Sequence, residues 1–168
     1  MKRMWSPWRS EHIERVAANP EGYGKDVFSR IAEDAARDAE NLVVWRGETL
    51  FVVMNLFPYN NGHLLIVPYR RITTYQELLA NEQVELSHTI GKCIGWLEHA
   101  LSPDGVNVGM NIGKAAGAGI PDHLHVHVVP RWAGDTSFMS SAADTRVIPE
   151  SMESTYRKLR QAVIETSD

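Results

Sequence analysis

The sequence predicts an α+β fold with a mainly antiparallel sheet, and three observations carry that expectation. Short apolar runs of strand length recur within residues 42–67 and 106–129, separated by turn-forming residues. One stretch, residues 76–101, has the three- and four-residue apolar spacing of a long helix. The run His123-Leu124-His125-Val126-His127-Val128-Val129 alternates polar and apolar residues, so it reads as a strand whose two faces differ completely. Several strands around one long helix define the class.

Residues 1–26 lack periodicity and are rich in Trp, Arg, Pro and Gly. Trp5 and Trp8 are costly to leave in water, so this arm is expected to pack on the body or on a second subunit. Residues 27–39 read as a short helix with Val27, Phe28, Ile31 and Ala35 inward. Leu42 to Trp45 and Thr49 to Asn55 form a hairpin around the turn Arg46-Gly47-Glu48. A loop from Pro58 to Gly62 leads to a short strand, His63 to Val67, stopped by Pro68. In the long helix Leu79, Leu86, Ile90, Cys93, Ile94, Leu97 and Leu101 make a core stripe, with His88 and His99 on the surface. Pro103-Asp104-Gly105 ends that helix, and Val106 to Ile112 reads as a strand. The tail carries an amphipathic helix from Pro149 to about Thr166, with Met152, Tyr156, Leu159 and Val163 on one side. Three segments follow: an arm and short helix (1–39), a core (40–135) and a C-terminal extension (136–168).

At 168 residues the chain has the length of one domain, and its 43% hydrophobic and 23% charged content is that of a globular protein. A formal net charge of −4 disfavours a nucleic-acid backbone binder, which would show a basic surplus. One cysteine, Cys93, excludes an internal disulfide and fits a reducing compartment. The first residues lack the apolar core of a signal peptide, and no run reaches membrane-spanning length. The cytoplasm, with no membrane partner, is the expected location.

Chemistry concentrates on the histidine strand. Leu124, Val126 and Val128 suit a packed core, while His123, His125 and His127 share the other face, adjacent imidazoles roughly 6–7 Å apart along the backbone. Partly buried imidazoles need hydrogen-bond partners, so a purely structural strand seldom carries three. Two chemistries remain open on these residues. A zinc site needs three or four converging ligands, and no HExxH or CxxC supplies the others. A phosphate-reacting site gains support from the loop Gly113-Lys114-Ala115-Ala116-Gly117-Ala118-Gly119, whose backbone N–H groups and Lys114 precede the histidines. This is not a Walker loop, because neither Ser nor Thr follows Gly-Lys and a strand comes next.

His123-x-His125-x-His127-Val128-Val129 resembles the motif of the histidine triad superfamily. Asn55-Leu56-Phe57-Pro58-Tyr59-Asn60-Asn61-Gly62-His63-Leu64-Leu65-Ile66-Val67-Pro68 is similar to its second signature, a nucleotide-contacting strand and loop before Gly-His. The resemblance covers roughly residues 40–135. The arm Met4-Trp5-Ser6-Pro7-Trp8-Arg9 and the run from Pro130 to Thr136 resemble the branch of bacterial diadenosine tetraphosphate phosphorylases and hydrolases.

That resemblance implies a five-stranded antiparallel sheet with one long helix, paired into a homodimer. It implies that His125 is the nucleophile forming a nucleotidyl-histidine intermediate, that His127 donates to phosphate oxygens, and that His123 completes the triad. Asn55 would hold the ribose hydroxyls and Asn111 would contact phosphate; from the loop's own residues, Lys114, Gly117 and Gly119 are expected to line the phosphate as well. The implied substrates are adenine nucleotides or dinucleoside polyphosphates, with inorganic phosphate as a second substrate if the enzyme is a phosphorylase. Rival readings are a nucleoside phosphoramidase, an adenylyl-sulfate-splitting enzyme, or a nucleotide-binding module with weak activity. No cofactor is required, although a divalent cation can accompany the nucleotide. Relatives that carry a structural zinc hold it with Cys-x-x-Cys, a later histidine and the first triad histidine; here the first three places read Asp26, Ser29 and Arg71, so structural zinc is expected to be absent. Gly119 and Ile120 replace a polar residue before the triad, and Ser137 stands where the phosphorylase-like branch carries Asn.

Overall fold

The computed structural model describes residues 27–135 and 148–166. Trp5, Trp8, Asp26 and Ser137, singled out above, lie outside the described residues. The order of elements is helix α1 (Val27–Glu33), strands β1 (Val43–Arg46), β2 (Leu50–Met54) and β3 (Leu64–Pro68), helix α2 (Ala80–Leu101), strands β4 (Gly105–Gly109) and β5 (Val126–Arg131), and helix α3 (Met152–Glu165). The five strands form one antiparallel sheet in the order β1-β2-β3-β5-β4. The α+β class and the antiparallel sheet are as the sequence predicts.

Each face of the sheet has its own apolar cluster. On one face Leu50, Val52, Leu64, Ile66, Val126 and Val128 pack with Leu86, Cys93, Trp96 and Leu97 of α2 and with Leu159, Ala162 and Val163 of α3. On the other face Val43, Phe51, Val53, Leu65 and Val67 pack under Val27 and Phe28 of α1. Leu65 pairs with His127, so the histidines belong to this second face. The histidine face is therefore also a packed face, because the period-two rule assigns residues to a side without saying what covers it.

Three local readings are corrected. The 27–39 helix breaks after Glu33 and resumes as a 3-10 turn over Ala35–Arg37. Another 3-10 turn, Tyr75–Glu77, stands where the long helix was expected to begin, and Leu78 and Leu79 are extended before α2 starts. That reset turns Leu78 inward and leaves Leu79 53% exposed. Trp96, outside the expected stripe, is buried against Trp45 with ring centroids 5.9 Å apart. The α2 N-terminus is held by Glu82, which accepts from the Leu79 N–H at 2.8 Å and pairs with Arg70 at 2.7 Å. Its C-terminus ends at Ser102 in the left-handed conformation.

The two edges of the sheet differ. At β1 the α3 helix reaches over: Tyr156 Oη donates to the Val43 carbonyl at 3.1 Å and Arg160 Nη1 to the Val44 carbonyl at 2.7 Å. Strand β4 is mostly exposed along its length.

Candidate active site

The histidine segment enters the sheet late. Strand β5 begins at Val126, so the strand expected over the whole histidine run is shorter: His123, at a bend, and His125 lie just before it, held by the Leu124 N–H bonding to the Ile72 carbonyl at 2.6 Å. All three rings are buried, at 1%, 7% and 8% exposure for His123, His125 and His127. The His125 and His127 ring centroids are 4.9 Å apart, closer than the backbone spacing suggests because the rings lean together edge to face. Phe28 stands against both His123 and His125, at 5.5 and 5.3 Å.

Hydrogen bonds fix which ring nitrogen carries each proton. His125 Nδ1 lies 2.9 Å from the His123 carbonyl, which can only accept. Nδ1 therefore carries the hydrogen, and Nε2 keeps a free lone pair. His63 governs the third triad ring. The Tyr59 backbone N–H donates to His63 Nδ1 at 3.0 Å, with Asn55 Nδ2 at 3.2 Å from the same nitrogen. A nitrogen facing two donors is bare, so His63 Nε2 bears the hydrogen and donates to His127 Nδ1 at 2.9 Å. His127 is left with its hydrogen on Nε2, beside the nucleophile candidate. Asn111 Nδ2 lies 3.5 Å from that Nε2; both are donors in this tautomer, so they do not bond each other and both can turn to one phosphate oxygen.

Charge follows the same pattern. Burial pulls the His123 and His125 pKa values down. Burial, with the neighbouring His125, takes His127 down to about 4. Neutral rings at neutral pH are what a nucleophile and a tautomer-fixed donor require.

The other sequence-named residues are distributed around this centre. Asn55 closes the loop after β2, with its Oδ1 accepting the Phe57 N–H at 3.0 Å. Its turn-forming role and its place beside His63 coexist. Lys114 lies in the 3-10 turn Lys114–Ala116, between Gly113 and Gly117, both at positive φ. Gly117 and Gly119 are exposed, and the loop returns to the histidine face where Ile120 packs on the second cluster. Arg131 is bound bidentately to Asp135 (2.6 Å twice) and to Asn107 (2.9 Å). Sequence reasoning placed His63 in a signature but gave it no role. Its signal was Gly62-His63: Gly62 has φ +75°, and an added Cβ would strike Leu101, so the chain turns there on glycine alone.

At the place where a structural zinc would bind, one triad nitrogen is open. His123 Nε2–H donates to the Pro68 carbonyl at 2.8 Å, leaving a buried Nδ1 with no hydrogen-bond partner among the described residues. That lone pair suits a ligand, but its surroundings do not. Arg71, permanently cationic, bonds the Asp122 carbonyl at 3.3 Å, and no three His, Cys, Asp or Glu side chains converge among the described residues. The residues described do not fit a zinc ion.

Comparison with known proteins agrees with this geometry. The HIT domain model matches residues 36–134. The AP-4-A phosphorylase of Mycobacterium tuberculosis is 38% identical over 163 residues, 95% of this chain and 83% of that protein. The asymmetrical bis(5'-nucleosyl)-tetraphosphatase of Schizosaccharomyces pombe is 32% identical over 95 residues, 56% of this chain and 52% of that protein. Among solved structures, a Zn-bound histidine triad family protein from Mycobacterium smegmatis superposes with a TM-score of 0.67 at 26% identity, covering 84% of this chain and 94% of that one. No described helix is long and apolar enough to cross a membrane. With the triad, the Gly-His signature and the sheet order all in place, the chain belongs to the HIT domain family.

Proposed function

We propose that this chain is a nucleotidyl transferase that cleaves dinucleoside polyphosphates, such as diadenosine tetraphosphate, at the α-phosphate through a nucleotidyl-His125 intermediate, with inorganic phosphate as the preferred acceptor. The observation that carries the reading is the His125 ring: Nδ1–H is tied to the His123 carbonyl, so the Nε2 lone pair is free beside the Nε2–H of His127. In the first half-reaction His125 Nε2 bonds to the α-phosphorus as the bridging P–O bond breaks, and the nucleoside polyphosphate departs. The attacking ring is neutral, so the adduct is an N-phosphorylated imidazolium, with its Nδ1–H facing the carbonyl. No proton has to leave the ring, and the charged ring is a good leaving group. In the second half-reaction an acceptor oxygen bonds to phosphorus and His125 returns neutral. Phosphate gives ADP beside the ATP already released, whereas water gives AMP.

His127 Nε2–H stabilises the phosphoryl oxygens, and Asn111 adds a contact on the same side. Asn55 holds the ribose. Lys114 and the amides around Gly117 and Gly119 hold the acceptor phosphate, a task Arg131 is too committed to Asp135 to share. Preference for phosphate is supported by the relative named AP-4-A phosphorylase, which matches nearly the whole chain, over the hydrolase, which matches about half.

Three companion features belong to the same proposal. The enzyme acts as a homodimer, supported by the exposed β4 edge with Val108 at 43% exposure and no proline or lysine along it. It works in the cytoplasm, in keeping with one buried free thiol, Cys93. It carries no structural zinc, although a divalent cation can arrive on the polyphosphate. The test incubates the protein with diadenosine tetraphosphate, with and without phosphate, and separates the products. ADP plus ATP formed only with phosphate supports the reading; AMP plus ATP at an equal rate without phosphate makes water the acceptor and ends that part of it.

A further inference from the structure

The loop that sets the His63 tautomer is itself pinned from outside the matched family region. Asn61 is 8% exposed and Thr155, in the first turn of α3, is fully buried. Thr155 Oγ1 lies 3.0 Å from Asn61 Oδ1 and 3.0 Å from Glu150 Oε2, and Asn61 Nδ2 approaches Glu150 Oε2 at 3.4 Å. With Nδ2 towards the carboxylate and Oδ1 towards the hydroxyl, Nδ2–H donates to Glu150 while the single Thr155 hydroxyl hydrogen is shared between two acceptors, Asn61 Oδ1 and Glu150 Oε2. The flipped amide would set its oxygen against Glu150. Glu150 is held in turn by Ser154 Oγ and Lys158 Nζ, each at 2.7 Å. Although burial raises its pKa, these hydrogen bonds together bring it down to about 2, so the carboxylate stays charged.

The pinned residue lies next to the reacting centre in the backbone network. Asn61 follows Asn60, whose carbonyl accepts the His63 N–H at 3.2 Å, and it lies two residues past Tyr59, whose N–H holds His63 Nδ1 bare. On its other side Asn60 Nδ2 bonds the Pro130 carbonyl at 3.1 Å. A buried hydrogen-bonded cluster specifies one backbone arrangement where an apolar contact would accept several.

We propose that Asn61 is a positioning residue for the histidine centre, and that Glu150 and Thr155 of the C-terminal segment hold it so that the Tyr59 N–H keeps His63, and through it His127, in the donating tautomer. Release of the loop removes the Tyr59 donor and leaves His63 Nδ1 facing the Asn55 side-chain amide alone, which can turn its oxygen to the ring, so that His63 carries its hydrogen on Nδ1. Its Nε2 then accepts from His127 Nδ1–H, and His127 presents a lone pair to the phosphate oxygens instead of an N–H. The defect is in transition-state stabilisation rather than substrate affinity, so kcat falls while KM holds.

The inference rests on the proposed nucleotidyl transfer for its kinetic arm, while a spectroscopic arm stands without it. Glu150→Gln and Thr155→Val are compared with the wild type and with Thr155→Ser, which keeps the hydroxyl. Imidazole 15N spectra of the full chain read the tautomers of His63 and His127, and turnover of diadenosine tetraphosphate with phosphate reads the rest. The expected result is a tautomer change in Thr155→Val, a roughly tenfold lower kcat, the scale of lost outer partners of catalytic imidazoles, and recovery in Thr155→Ser. Glu150→Gln, which keeps the shape, covers the case in which Thr155→Val fails to fold. Folded variants with wild-type tautomers overturn the proposal, whatever their activity. Changed tautomers in a protein whose wild type turns nothing over uphold the positioning and refute the proposed reaction instead.

Discussion

Acidification from about pH 7 to about pH 5 probes the buried histidine row before any substrate is added. His127 is 8% exposed, and its pKa falls from the ordinary 6.5 to about 4 through burial, helped by neighbouring His125. The unfolded chain takes up a proton near pH 6.5 that the native ring refuses until about pH 4. Native stability is therefore complete above the unfolded value and is lost as pH drops through this window. For His127 alone the whole interval amounts to roughly 3 kcal/mol, of which about 2 kcal/mol is gone by about pH 5. These are upper values, since water reaches part of the ring. His123 and His125 shift in the same direction and add to the loss. Glu77 and Glu150, both held to about 2 by their hydrogen bonds, stay charged throughout and contribute only below about pH 4.5. For a chain of this size 2 kcal/mol moves Tm by roughly 4–8 °C. Thermal melts followed by circular dichroism should show that drop, and His127→Gln should make it smaller, leaving the share of His123 and His125. A Tm that stays level from about pH 7 to about pH 5 in the wild type would refute the burial argument.

The remaining expectations are smaller. His127→Gln should lower kcat roughly 10²–10³-fold, the scale of one lost oxyanion donor, with KM little changed in steady-state assays. Gly62→Ala forces a side chain into a positive-φ position against Leu101, so urea unfolding should give a stability loss of about 1–3 kcal/mol. Prolonged chelation should leave Tm and activity without added metal ion unchanged; about one zinc per chain by elemental analysis after dialysis would contradict the reading of Arg71 and His123. Val108→Lys, on the β4 edge, should shift the light-scattering mass from dimer to monomer.

The sheet and the triad were legible because both depend on short-range pattern. Alternation placed Leu124, Val126 and Val128 in one core, and helical spacing placed Leu86, Cys93 and Leu97 against them. What pattern cannot carry is which residues from distant segments meet. Phe28 covers His123 and His125 from the far end of the chain, and no periodicity connects them. The role of His63 rests on a backbone N–H from Tyr59, a donor every non-proline residue owns, so its sequence signal was limited to the glycine before it. Leu79 was misplaced for a local reason: two extended residues reset the helical register, and spacing counted back from Leu86 runs straight through them. Arg131 ends the histidine strand as a cation, and its engagement by Asp135 is a pairing that alternation along the strand does not announce.

The central claim is that His125 becomes covalently bonded to the nucleotide. His125→Gln is a better control than alanine, because Phe28 and the second cluster pack on that ring and a smaller residue would leave a cavity. Wild-type protein mixed with diadenosine tetraphosphate in the absence of phosphate, quenched within milliseconds under alkaline conditions and digested, should yield a peptide carrying an adenylyl group on His125 by mass spectrometry. The same treatment of folded His125→Gln should yield none. An adduct on another residue, or rapid turnover by His125→Gln, would contradict the account.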